Sequence, residues 1–98
     1  MNQKLGDCYQ VAGHMIMDNS NFVLCHGMVS GQGKLKRRRM GHAWIEHGDV
    51  IFDFSNNRKI IMRKEKYYKI GKIKKVKKYT QKQACKMMLK HKTFGDWS

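Results

Sequence analysis

The chain has 98 residues, 41% of them hydrophobic, with two Trp, four Tyr and four Phe; that is more apolar and aromatic content than a disordered polybasic tail carries. A domain of this length buries only about 60–65% of the surface its unfolded chain exposes, so its core has to be small. The 21 Lys and Arg against 7 Asp and Glu give a net charge of +14, which draws phosphate backbones and acidic surfaces but dictates no chemistry.

Nowhere do about 18 apolar residues run together, and residues 1–7 lack the apolar stretch of a signal peptide. A soluble, cytoplasmic chain is expected. Cys8, Cys25 and Cys85 are an odd number at unrelated spacings, which argues against a disulfide framework and for reduced thiols. With no proline, Gly/Ser linker or repeat, the sequence predicts one domain over residues 1–98.

In chain order, Asp7 is placed to cap a helix over Cys8–Asp18, with Val11, Met15 and Cys8 on its apolar face and Ala12 and Ile16 beside them. The polar cluster from Asp18 to Asn21 stops it, and Phe22–Val29 reads as a strand ahead of Gly31-Gln32-Gly33. Lys34–Arg39 reads as a solvated loop or hairpin arm, with Lys36, Arg37, Arg38 and Arg39 as anion-contact candidates. His42–His47 alternates, Gly48-Asp49 signals a turn, and Val50–Phe54 resumes an apolar strand, so a hairpin is expected. Ser55-Asn56-Asn57 ends it. Arg63–Ile70 suits a short helix closed by Gly71, and Lys72–Tyr79 a lysine-protected edge strand, although Ile73, Val76 and Tyr79 recur every three residues rather than two. Thr80-Gln81-Lys82-Gln83 is a capping box before a final helix carrying Ala84, Met87, Met88 and His91. The order predicts an α+β domain with a mainly antiparallel sheet.

Three residues in this layout suit covalent chemistry. A cysteine attacks only as its thiolate, which a helix start favours through unpaired amides and the helix dipole, and Cys8 holds that place. A base is then needed; His42, opening a strand behind Gly41, supplies an imidazole able to take and return a proton at neutral pH. Asp53, on the neighbouring hairpin strand, is within reach to orient that ring. Tyr9 and Trp44 are expected to line the site, with Trp44 packing the hairpin on the first helix. Plainer roles suit the rest: Cys25 and Cys85 as small buried hydrophobes, and His14, His47 and His91 as surface or half-buried positions. Cys25-His26 near His42 and His47 lacks the spacing of a zinc site, so no metal or cofactor is expected. Tyr67, Tyr68 and Tyr79 among lysines would suit base stacking.

Gly41-His42-Ala43-Trp44-Ile45-Glu46, a turn, then Val50-Ile51-Phe52-Asp53-Phe54-Ser55 resembles the histidine and aspartate strands of transglutaminase-like and other papain-like enzymes. Those families place the nucleophilic cysteine at the start of a helix upstream, where Gly6-Asp7-Cys8-Tyr9 stands, so the resemblance covers roughly residues 7–56. The whole chain is also similar to small uncharacterised bacteriophage proteins, which share the Cys-Tyr opening, the His-Gly strand, Gly-His-Ala-Trp and a Tyr-Tyr stretch. The resemblance implies a papain-like core with an N-terminal helix on the sheet, a Cys8-His42-Asp53 triad and oxyanion donors from Gln3 or Asn2. It also implies action on a protein or peptide-like substrate in the cytoplasm of an infected host. The function so implied is a cysteine-dependent hydrolase or acyl transferase acting on an amide or thioester-like bond. The alternative from another class is a catalytically inactive basic protein holding nucleic acid or an acidic host protein.

Overall fold

A computed structural model describes residues 7–30, 39–95 and 97. Lys36, Arg37 and Arg38, and the oxyanion candidates Asn2 and Gln3, lie outside the described residues; of Arg39 only the backbone is described. The elements are α1 (Cys8–Ile16), β1 (Val23–Ser30), β2 (Arg39–His47), β3 (Val50–Asp53), a 3₁₀ turn (Ser55–Asn57), β4 (Ile60–Arg63), α2 (Lys64–Gly71), β5 (Lys74–Thr80) and α3 (Gln81–His91). The five strands form one sheet in the order β4-β3-β2-β1-β5, and every neighbouring pair is antiparallel. No described helix is long and apolar enough to cross a membrane.

Period-two alternation divides the core between the two sheet faces. Leu24, Ala43 and Ile45 point to one side, where they bury with Cys8, Ala12, Ile16, Ala84 and Trp97 from α1, α3 and the C-terminal segment. Cys25, Trp44 and Ile51 point to the other, where Tyr67 and Tyr68 of α2 pack on them. Trp44 therefore faces α2, not the first helix as the sequence suggested; the residues that meet α1 are its neighbours Ala43 and Ile45. Gly27 makes this possible, since a Cβ there would stand 2.8 Å from the Trp44 ring.

Several expectations change in detail. The buried seam of α1 is Cys8, Ala12 and Ile16, an i, i+4, i+8 row, with Val11 and Met15 only half-buried. Asp7 occupies the N-cap position without a side-chain cap bond, and its carbonyl accepts from the Val11 amide at 3.0 Å. Gly71 is the last residue of α2, and the left-handed residue after the helix is Lys72 at φ 47. Cys85 is half-buried, whereas Cys25 is fully buried. Strand β4 was not expected: its four residues are hidden between a polar turn and a lysine-rich helix, and pairing of Asp53–Val50 with Ile60–Arg63 makes it a strand.

The odd spacing of β5 has a local cause. Lys75 adopts φ 55 and the β1–β5 register slips between His26 and Met28, a bulge that turns Ile73 and Val76 to the same face despite their odd separation. Beyond it normal alternation sends Tyr79 to the opposite core. As expected, β5 is an edge strand.

The capping box forms in full: the Gln83 amide donates to Thr80 Oγ1 at 3.2 Å and the Thr80 amide to Gln83 Oε1 at 3.0 Å. Gln81 also donates to the Ile16 and Met17 carbonyls at 3.1 Å, tying the start of α3 to the end of α1. Thr80→Ala is accordingly expected to cost about 1 kcal/mol, which thermal unfolding reads as a Tm lowered by roughly 4–8 °C.

Candidate active site

Cys8, His42 and Asp53 come together at one end of the sheet. β2 extends past the end of β3, whose pairing with it runs from His47↔Val50 to Ile45↔Phe52. His42 therefore stands beyond the last β2–β3 pair, while Asp53 closes β3 and α1 begins at Cys8. The His42 Nε2 to Asp53 Oδ2 distance is 2.8 Å. With Nε2 engaged, Nδ1 is the ring nitrogen left for Cys8, a neighbour close enough to help raise the His42 pKa. Cys8 is also the first residue of α1, so its amide is one of the unpaired donors of the first turn.

Asp53 is nearly fully buried and richly bonded. Its Oδ1 accepts from the Ser55 amide at 3.2 Å and the Ser55 hydroxyl at 2.6 Å. Its Oδ2 accepts from the Tyr67 hydroxyl at 2.7 Å as well as from His42. Burial opposes the charged carboxylate, but His42, Ser55 and Tyr67 outweigh it and hold Asp53 well below the usual carboxylate range. Burial likewise opposes a charged His42, and Asp53 and Cys8 together overcome it, raising the imidazole from 6.5 to about 9. At neutral pH the ring holds its proton.

Trp44 borders the His42 ring, while Tyr9 lies against the neighbouring Gly41. The His42 ring lies over Trp44 with centroids 6.2 Å apart and planes at 25°. Trp44 is fixed in turn by Tyr67 and Tyr68, at 5.5 and 5.8 Å. Tyr9 stands next to Gly41, where a Cβ would come 2.5 Å from the tyrosine hydroxyl, and its ring meets His26 edge-on at 4.9 Å. The glycine of Gly-His-Ala-Trp thus admits Tyr9 beside the histidine strand.

Ser55 and Tyr67 escaped the sequence reading. Ser55 had a signal, because an aspartate accepting from the amide two residues on is a common local turn. Tyr67 had none, since 14 residues and a strand separate it from its partner.

A second buried carboxylate lies two positions along β2 from Trp44. Glu46 accepts from Trp44 Nε1 at 3.2 Å, from the Tyr68 hydroxyl at 2.5 Å and from Lys78 Nζ at 3.0 Å. Burial disfavours its charge, but Tyr68, Lys78 and Trp44 together lower its pKa. The adjacent Cys25 thiol is driven far up by burial, then by Glu46. A groove of about 500 Å³ opens over this network, lined by Asp49, Arg63, Lys64, Glu65, Tyr68 and Lys78. Neither Cys8, His42 nor Asp53 lines it, so the groove and the Cys-His-Asp cluster are separate features. Among the described residues no group of three or more His, Cys, Asp or Glu is placed to hold a metal ion.

No family model matches the chain, and no curated protein or solved structure does either.

Proposed function

We propose that the protein is a papain-like or transglutaminase-like cysteine hydrolase or acyl transferase, with Cys8 as nucleophile, His42 as general acid and base, and Asp53 as the group that orients the ring. The observation that carries this reading is the His42 ring held between Cys8 and the Asp53 carboxylate 2.8 Å away. The papain-like assignment of the core rests on the order of cysteine helix, histidine strand and aspartate strand around that contact. In the reaction, the proton given up by Cys8 already rests on Nδ1, and the sulfur attacks an amide or thioester-like carbonyl carbon as the thiolate. The C–N or C–S bond breaks as His42 returns the proton to the leaving amine or thiol, leaving an acyl group on Cys8. Water, or an acceptor amine, then gives its proton to His42 and takes the acyl group, which restores the thiolate beside the protonated ring. Asp53 stays ionised throughout and keeps Nε2–H pointing at it.

Iodoacetamide at pH 7 tests the assignment. Cys8, buried like Cys25 and less exposed than Cys85, is nonetheless expected to be alkylated about tenfold or more faster than Cys25, whose thiol burial drives far up, and faster than Cys85, because the thiolate is the reacting form and the proposed pairing with His42 favours it at Cys8 alone. His42→Ala should remove that advantage. Equal labelling of the three thiols, or a Cys8 rate indifferent to His42, sinks the enzyme reading.

A further inference from the structure

The positive charge is not spread over the molecule. Between Arg58 and Lys92 the sequence holds fifteen Lys and Arg and one acid, Glu65, while the rest of the chain carries six of each sign. The whole net charge thus belongs to one stretch, and from Lys64 onward that stretch contains lysine and no arginine. In the fold it becomes α2, β5 and α3, three elements joined almost directly: Lys72 and Ile73 link the first two, and α3 follows Thr80 at once. The middle one, β5, is a sheet edge, with α2 on one sheet face and α3 on the other.

We propose that this surface binds duplex nucleic acid through its phosphate backbone, without regard to sequence. Along β5, Lys74, Lys75, Lys77 and Lys78 are all exposed, and on α3 so are Lys82, Lys86 and Lys90. The last three recur at i, i+4 and i+8, a single row with about 6 Å between neighbours. Glu46 takes up Lys78 at 3.0 Å and reaches Lys64 at 4.0 Å, but both contacts are on the α2 side and leave the α3 row untouched.

The same surface lacks the means to read bases. Tyr67 and Tyr68 give their hydroxyls to Asp53 and Glu46, and Tyr79 packs into the core against His26 and Trp97. The base stacking that these tyrosines suggested in the sequence is therefore overturned: the rings face inward and offer no platform to single-stranded bases. Lysine is a flexible point charge without the planar fork of arginine, which suits contact with a phosphate backbone more than fixed base readout. The lysines and the bulge at Lys75 disfavour addition of a peptide strand to β5. Leu89, 73% exposed, is one apolar side chain on the lysine face of α3, where insertion into lipid needs an apolar row.

Fluorescence anisotropy tests this with the full chain, two unrelated DNA duplexes of about 20 base pairs, a single strand of that length and phosphatidylserine vesicles. Both duplexes are expected to bind alike, and more tightly than the single strand or the vesicles, with log K falling linearly against log salt between about 50 and 200 mM. Lys82→Gln, Lys86→Gln and Lys90→Gln together should weaken duplex binding roughly tenfold and reduce the salt slope by about 2–3, since each phosphate contact contributes about 0.9. Glutamine suits exposed helix positions, so Tm should hold. Cys8→Ala should bind as the parent does, which keeps this outcome separate from that of the alkylation experiment. Absence of duplex binding at about 50 mM salt, a triple variant that binds unchanged, preference for one duplex sequence, or tighter binding of the single strand or vesicles overturns the proposal.

Discussion

Asp53→Ala is expected to destabilise the protein by about 3–5 kcal/mol at neutral pH, the usual result of removing one partner of a buried ion pair. Three side-chain donors lose their acceptor at once: His42 Nε2, the Ser55 hydroxyl and the Tyr67 hydroxyl. Only 13% of the His42 side chain is exposed, so its charge cannot recover the lost interaction from water. Asp53→Asn keeps the shape and an oxygen for Ser55 or Tyr67 and should cost less, yet it removes the negative charge that raises His42. The His42 ring protons, followed by NMR, should then titrate well below about 9. The pH dependence follows from the two directions of shift. The raised His42 contributes fully below its unfolded pKa near 6.5, and that contribution is lost as pH rises through about 9. The lowered Asp53 contributes fully above its ordinary value of 3.8 and loses its share as pH falls below that. Denaturant titrations should therefore show the gap between parent and Asp53→Asn widest from about pH 5 to 6.5 and shrinking toward either extreme. A parent His42 that titrates near 6.5 contradicts the arrangement. Under the proposed reaction, kcat/KM should also fall above pH about 9 as the proton for the leaving group is lost. Alkylation of Cys8, which needs no such proton, should not fall with it.

The sequence was most legible where chemistry and local pattern coincide. Gly41-His42-Ala43-Trp44 and Val50–Asp53 alternate cleanly, Gly48 supplies the positive φ of the turn between them, and the resulting hairpin brings His42 and Asp53 together. Thr80–Gln83 could be read because a capping box depends only on residues three apart. What stayed hidden depends on partners far along the chain. Trp44 points away from α1 because strict alternation gives Ala43 and Ile45 that face; the pattern shows two faces but not which helix covers which. β4 is a strand through its pairing with β3, and the bulge at Lys75 disguised the alternation of β5. Tyr67 and Tyr68 looked like ring platforms among lysines, but their hydroxyls reach inward to two carboxylates on different strands. That pairing exists only once α2 has docked.

Those two carboxylates make Glu46→Ala the other substitution with a large expected effect, and one that separates stability from chemistry. Glu46 is 3% exposed and accepts from Trp44 Nε1, the Tyr68 hydroxyl and Lys78 Nζ. Lys78 is 48% exposed and can return to water, so its share of the loss is small. Trp44 cannot, being 1% exposed, and Tyr68 is half-buried; each unmet donor costs about 1–3 kcal/mol. The sum is roughly 3 kcal/mol, a Tm drop of roughly 12–24 °C for a domain of this size. Glu46→Gln leaves an oxygen for Trp44 and Tyr68 and should recover more than half of that loss. His42 lies on the far side of Trp44 and owes its raised pKa to Asp53 and Cys8, so its NMR titration should stay near 9 in the folded Glu46→Gln protein. A Glu46→Gln variant that is stable but titrates His42 near 6.5 would mean that Trp44, not Asp53, governs the ring. The stack at 6.2 Å would then be part of the acid–base machinery rather than its wall.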